Sequence, residues 1–149
     1  MDIEFKQVGL DRLPEIAEVN FKVFDGVYEW KPYELSEFES RLSVDESAVF
    51  VALDQGQIVG YFVGYPKGEY FYSWILGVLP EYRGHRIATE LMDLAEDYAR
   101  KNGFKKMLSK VYNVSDRMLR LKLKRGYMVA DVQKNDNILY TAVMLELEL

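Results

Sequence analysis

The sequence predicts one α+β domain over residues 1–149, a mixed and mainly antiparallel central sheet of about seven strands flanked by about four helices. Three observations predict it. Two short apolar runs, Ala48 to Leu53 and Gln57 to Gly64, flank the turn residues Asp54, Gln55 and Gly56, which is a hairpin pattern. The segment Ile87 to Lys101 carries apolar residues at helical spacing, with acids early and bases late. Strand-like and helix-like segments follow one another as strand, two helices, three strands, helix, strand, helix, two strands, with no linker, repeat or low-complexity tract. With 49% hydrophobic residues in 149, the chain is long and apolar enough to bury one core.

Taken in order, Ile3 to Val8 alternates apolar and polar residues as a half-buried strand does. From Asp11 to Phe24, Leu13, Ile16, Ala17, Val19 and Val23 recur at near-helical spacing. Asp11 is the expected N-cap, and Pro14 is tolerated in the first turn. Leu35, Phe38 and Leu42 predict a shorter second helix, after a loop, "DGVYEWKPY", that carries Tyr28, Trp30 and Tyr33. Beyond the hairpin, "YPKG" predicts a turn and Glu69 to Leu79 a long, largely buried strand. The helix from Ile87 has its stripe at Ile87, Leu91, Leu94, Ala95 and Tyr98, and Asn102-Gly103 stops it. "KMLSKVY" predicts a strand and Ser115 to Arg125 a basic helix closed by Gly126. Two strands, "GYMVADVQ" and "ILYTAVMLELEL", joined across "KNDN", complete the chain.

Charge and composition exclude several function classes. A net charge of -5 gives no electrostatic footprint for nucleic acid. The absence of cysteine excludes a disulfide framework and thiolate metal sites, and with a single histidine no metal centre is expected. No apolar run approaches the roughly 18 residues of a spanning helix, and no secretory signal is visible, so no membrane partner is expected. The expected location is the cytoplasm, whose reducing conditions suit a cysteine-free chain.

The chemistry concentrates in "LGVLPEYRGHRIATELM". A strand runs into a helix through a tight turn that holds Arg83, Gly84, His85 and Arg86. The first N–H groups of such a helix lack intrahelical partners and gather at the positive end of its dipole, which makes an anion site. On local physics alone, the alternative is an exposed turn with its arginines in solvent. Neither G-x-x-x-x-G-K-S/T nor G-x-G-x-x-G occurs, so a Walker A loop and a Rossmann fingerprint are both absent.

This stretch resembles the acyl-CoA-binding motif of the GNAT superfamily of N-acetyltransferases, Q/R-x-x-G-x-G/A after a strand. Here the motif reads Arg83, Gly84, His85, Arg86, Ile87, Ala88, with Arg86 in the place of the middle glycine. The downstream segment Ser115 to Tyr127 is similar to that superfamily's N-x-x-A/M-x-x-L-Y-x-K-x-G-F/Y. The order of elements along nearly the whole chain also resembles it. The resemblance implies an acetyl-CoA-dependent enzyme acting on a small-molecule or peptide amine by direct attack. Backbone amides from Arg83 to Thr89, those of His85, Ile87 and Ala88 included, would hold the pyrophosphate. The strand end Leu76, Gly77, Val78 would run beside the pantetheine, with the Val78 N–H facing the thioester oxygen. Gly77 fits a close backbone approach or a bulge. Arg86 cannot rely on glycine's freedom at positive φ; if its backbone stays in the helical region, its amide still donates and its side chain points outward.

Departures from the pattern leave the catalytic groups open. The asparagine that meets pantetheine in the family falls at Ser115, with Asn113 two residues away as a substitute. The tyrosine that protonates the leaving thiolate falls at Lys122, which is either a proton donor or one of several solvated charges beside Arg117, Arg120, Lys124 and Arg125. The glutamate base of the subtype that acetylates protein N-termini falls at Lys110. Glu69 and Glu29 are the remaining candidate bases, and His85 is expected to neighbour phosphate. Phe24, Tyr28, Trp30 and Tyr33 form an acceptor wall or pack the loop, and "YPKGEYFY" lines a pocket or a homodimer face. The alternative from another class is a non-catalytic acyl-CoA-binding module of the same fold.

Overall fold

The structure, a computed structural model, describes residues 1–149. Seven strands form one sheet: β1 (Ile3–Val8), β2 (Ala48–Asp54), β3 (Gln57–Lys67), β4 (Tyr70–Val78), β5 (Lys106–Tyr112), β6 (Met128–Gln133) and β7 (Ala142–Glu148). Their spatial order is β1-β2-β3-β4-β5-β7-β6, and every pair is antiparallel except β4 with β5. Four helices cover it: α1 (Leu13–Phe24), α2 (Leu35–Arg41), α3 (Ile87–Lys101) and α4 (Asp116–Lys124). The α+β expectation, with its mixed sheet and four helices, is the observed architecture.

The two longer helices bury the stripes their spacing dictates. Leu13, Ile16, Val19 and Val23 of α1 join Phe38 of α2 and Val49, Val51, Tyr61 and Val63 on one face of the sheet. Ile87, Leu91, Met92, Ala95 and Ala99 of α3 cover the other face, against Phe50, Phe62, Phe71, Met107 and Leu145. Residues four apart on α3 point the same way while residues two apart on a strand do, so the two periodicities meet in one core.

Three boundaries differ from expectation, each for a local reason. Asp11 lies in a 3-10 turn, Leu10–Arg12, and α1 starts after it with Arg12 as N-cap and no side-chain cap. β3 continues through Pro66 to Lys67, so the hairpin turn falls at Gly68 and Glu69. Pro66 lies past the last β2 partner, where Ala48 faces Gly64, so its missing N–H removes no bond to β2. Ile138–Tyr140 coils into a 3-10 turn held by the Asn137 side chain, which delays β7 to Ala142.

The feature that positions the site is a fork. β4 and β5 pair only from Tyr70 with Lys106 to Ser73 with Ser109. Beyond that point β5 stays with β7 through Tyr112 and β4 stays with β3 through Val78. The register of β4 shifts at Trp74, between the Val63–Ile75 and Gly64–Ser73 pairs, which is a bulge at the divergence. A parallel pair that opens in this way leaves the far half of β4 with one edge unpaired.

Candidate active site

The unpaired edge of β4 can be assigned residue by residue. Leu79 N–H donates to the Val59 carbonyl at 2.9 Å. Peptide groups alternate sides along an antiparallel strand, so those of Gly77 and Ile75 also face β3, and those of Val78 and Leu76 face the fork. The close approach expected at Gly77 is real, but its cause is inside the protein. A β-carbon there would come within 2.7 Å of the Tyr61 ring and 2.6 Å of its hydroxyl. That hydroxyl donates to the buried Asn20 side chain. Gly77 lies in regular register, away from the bulge at Trp74.

At the end of β4 the chain turns through Pro80–Tyr82 into α3. The first α3 bond is Glu90 N–H to Arg86 carbonyl, 3.0 Å, and no side chain caps the helix. The N–H groups of Gly84 through Thr89 consequently donate to nothing in the protein. These donors converge at the positive end of a 15-residue helix.

A cavity of about 460 Å³ lies along this turn, lined by Leu76, Gly77, Val78, Arg83, Gly84, Arg86, Ile87, Ala88 and Thr89, and across from them by Ser115, Arg117 and Met118. His85 is not among its walls. Its Nδ1 donates to the Tyr82 and Arg83 carbonyls at 3.1 and 3.0 Å, so it braces the turn. Asn113, the expected substitute for the family asparagine, faces away: its side chain donates to the Ile138 carbonyl and it lines neither cavity. Ser115 lines both, and its hydroxyl shares a 2.7 Å bond with the Tyr28 hydroxyl. That bond ties the α1–α2 loop to the start of α4.

A second cavity, also about 460 Å³, opens on the other side of Leu76. Phe24, Leu76, Ser115 and Met118 line both, so the two adjoin at these side chains. Its walls are aromatic. Tyr28 stacks on Trp30 at 4.8 Å, Tyr112 meets both edge-on, and Tyr33 packs against Trp74 at 5.2 Å. Tyr72 of "YPKGEYFY" lines the same space. The loop aromatics therefore do both jobs considered for them: they pack together and they form a wall.

Lys122 lies at the apex of the fork, and it is not the solvated charge its sequence neighbours suggest. Its ammonium donates to the hydroxyls of Ser73 and Ser109, the last facing pair of β4 and β5. Only 3% of the residue is exposed. Burial pulls its pKa down from 10.5 to about 8, against the raising effect of the Glu96 charge and with a smaller lowering effect from Arg125. The two other sequence candidates lie elsewhere. Glu69 pairs with Lys105 at 2.9 Å at the far end of β4, and Glu29 is exposed; neither lines a cavity. Ser73, Ser109 and Asn20 carried no sequence signal, because each acquires its role only when distant strands meet.

Comparison with known proteins gives this geometry a family. The model of the acetyltransferase (GNAT) family matches residues 11–127. The chain belongs to that family. Its fold is shared with the ribosomal-protein-S18-alanine N-acetyltransferase from Escherichia coli, at TM-score 0.85 and 13% identity over 99% of this chain and 94% of that one. The PaiA N-acetyltransferase from Thermoplasma acidophilum, solved in complex with coenzyme A, matches at TM-score 0.78 and 18% identity over 100% of both chains. The Salmonella typhimurium protein yncA, solved with its cofactor acetyl-CoA, matches at 0.77 and 17% over 99% and 94%.

This GNAT chain departs from the family motif at Arg86, and its backbone does not do what the side chain prefers. Arg86 sits at φ 62°, ψ 18°, the left-handed conformation that favours the glycine it replaces, and not in the right-handed region. Arg86→Gly is expected to relieve about 1 kcal/mol of strain and raise the melting temperature by about 2–4 °C. A fall in melting temperature by calorimetry would show that the arginine side chain holds the turn by contacts stronger than that strain.

Proposed function

We propose that the protein transfers an acetyl group from acetyl-CoA to a primary amine by direct attack, both substrates being bound at once. One observation carries the reading: two sets of free backbone donors, one in the α3 turn within Gly84 to Thr89 and one on the unpaired β4 edge at Val78 and Leu76, meet along one cavity. The first set suits a pyrophosphate, with Arg83, Arg86 and Arg117 around it. The second suits an extended amide-bearing chain lying in the fork as a further strand.

Leu76 lines both cavities and Val78 only the one beside the turn, so the reacting carbonyl belongs beside the Leu76 N–H, and Val78 belongs to the pantetheine stretch. In this reading the Leu76 N–H stabilises the negative charge that builds on the acyl oxygen as the amine nitrogen bonds to the acyl carbon. As the carbon–sulfur bond breaks, Lys122 gives its proton to the departing sulfur, directly or through a water. It is reset by the surplus proton of the acetylated nitrogen. A donor of pKa about 8 is well matched to a thiolate, whose conjugate acid titrates near 8.5. This match favours the enzyme over the non-catalytic module.

The test is a calorimetric titration with acetyl-CoA, ATP and 3′-dephospho-CoA. Binding in the micromolar range that prefers acetyl-CoA over ATP is expected, because the fork reads the pantetheine as well as the phosphates. Equal binding of ATP, or none of acetyl-CoA, overturns the reading.

A further inference from the structure

We infer, resting on the acetyl-transfer reading, that the acceptor is a small amine that also carries a carboxylate. The cavity beyond Leu76 is lined by five cationic side chains, Lys31, Arg41, Lys67, Lys110 and Lys122, and by no aspartate or glutamate. This occurs in a chain with 24 acidic residues and a net charge of -5, so composition does not account for it. Of the five, only Arg41 has an acidic partner, Glu37 at 2.8 Å. Lys31, Lys67 and Lys110 have no ion-pair partner, and Glu96 reaches Lys122 only through space, so the walls of this half-enclosed space carry excess positive charge that concentrates anions and repels cations.

Rings hold these cations in place. The Lys67 ammonium lies 4.3 Å from the Tyr72 ring centre, Lys110 lies 5.2 Å from that of Tyr112, and the Arg41 guanidinium lies 4.6 Å from that of Trp74. Lys67 closes the β3–β4 hairpin, and Lys110 is the first residue of β5 past the fork. The two therefore reach the cavity from the strands on either side of β4. A polyamine or a basic peptide would bring further positive charge against three lysines that have no ion-pair partner, with Lys122 behind them. A zwitterionic or anionic amine instead turns its carboxylate to the lysines and its nitrogen to Leu76, its body lying against the aromatic walls. The volume, about 460 Å³, suits a small molecule.

Both tryptophans of the chain, Trp30 and Trp74, line this cavity, so their fluorescence reports occupancy whether or not transfer occurs. The probes are phenylalanine, leucine and 4-aminobenzoate, each against its own carboxamide, with phenethylamine as the cationic comparator, titrated into the CoA-saturated protein. Each carboxylate is expected to bind about tenfold or more tightly than its carboxamide. In the double variant Lys67→Gln, Lys110→Gln that preference is expected to fall to about threefold or less, with acetyl-CoA affinity unchanged by calorimetry. Equal or tighter binding of a carboxamide or of phenethylamine overturns the inference. So does a failure of all carboxylates to bind, or a preference that survives the double variant. A failure of acetyl-CoA itself to bind is read separately and strikes the acetyl-transfer reading.

Discussion

Lys122→Met is expected to lower kcat for thiol release by about 10²-fold while making the fold more stable at neutral pH. The two effects have one source, an ammonium group on a residue only 3% exposed. Folded Lys122 titrates near 8 and the unfolded lysine near 10.5, so between these values the folded chain holds fewer protons than the unfolded one. Stability of the native protein therefore rises with pH across that window, and below pH 8 the whole penalty is present. The penalty is about 3 kcal/mol, reduced to a net gain of about 1–2 for methionine because Ser73 and Ser109 lose their shared donor. Urea unfolding should show the variant ahead at pH 7, with the difference closing as pH approaches 10.5. In the kinetics, the native enzyme should lose activity above about pH 8 as Lys122 gives up its proton, and the methionine variant should lack that limb. An unchanged kcat with the limb intact would reduce Lys122 to a strut between β4 and β5.

The stability half of that expectation could not have been written from the sequence. Residues 117 to 125 contain five cations, and a helix so basic reads as a solvated one. What buries Lys122 is the meeting of Ser73 and Ser109, which are 36 residues apart in sequence and signal nothing alone. The turn after β4 was legible because its chemistry is local: a strand end, two arginines, a glycine and a helix stripe all fall within a dozen residues. Even there the backbone of Arg86 is not legible, since side-chain preference favours a right-handed conformation and the geometry of the turn overrides it. At Gly77 the neighbour that leaves no room for a side chain is Tyr61, a partner fixed by strand register and not by local sequence. Asn113 failed for the opposite reason: it matches in type and near-matches in position, but the 3-10 turn at Ile138–Tyr140 takes up its side chain. The cationic cavity is also nonlocal, drawn from the α1–α2 loop, α2, β3, β5 and α4.

Glu96→Ala is expected to cost about 3–5 kcal/mol of stability, the loss typical of a buried charge pair deprived of one partner. Glu96 projects from α3 into the core with 6% of its surface exposed. Its carboxylate accepts from Arg125 at 2.8 and 3.2 Å and from the Tyr127 hydroxyl at 2.8 Å. Burial first, and then the Glu96 charge, push the Tyr127 hydroxyl well up, so it stays a donor at any working pH. These bonds pin the end of α4, one turn beyond Lys122, to α3. Glu96 also acts on Lys122 through space, because its charge is what keeps that pKa from falling below about 8. Removing the charge should therefore move the falling limb of the pH–rate profile to lower pH, whatever happens to stability. Glu96→Gln separates the two roles. It retains an acceptor for Tyr127 and Arg125 and so should lose less stability than alanine, yet it should shift the limb as far. A stability loss under about 1 kcal/mol for alanine would mean that Asp93, 2.7 Å from Arg125, holds the helix end by itself. A limb that stays in place in both variants would mean that the group titrating there is not Lys122.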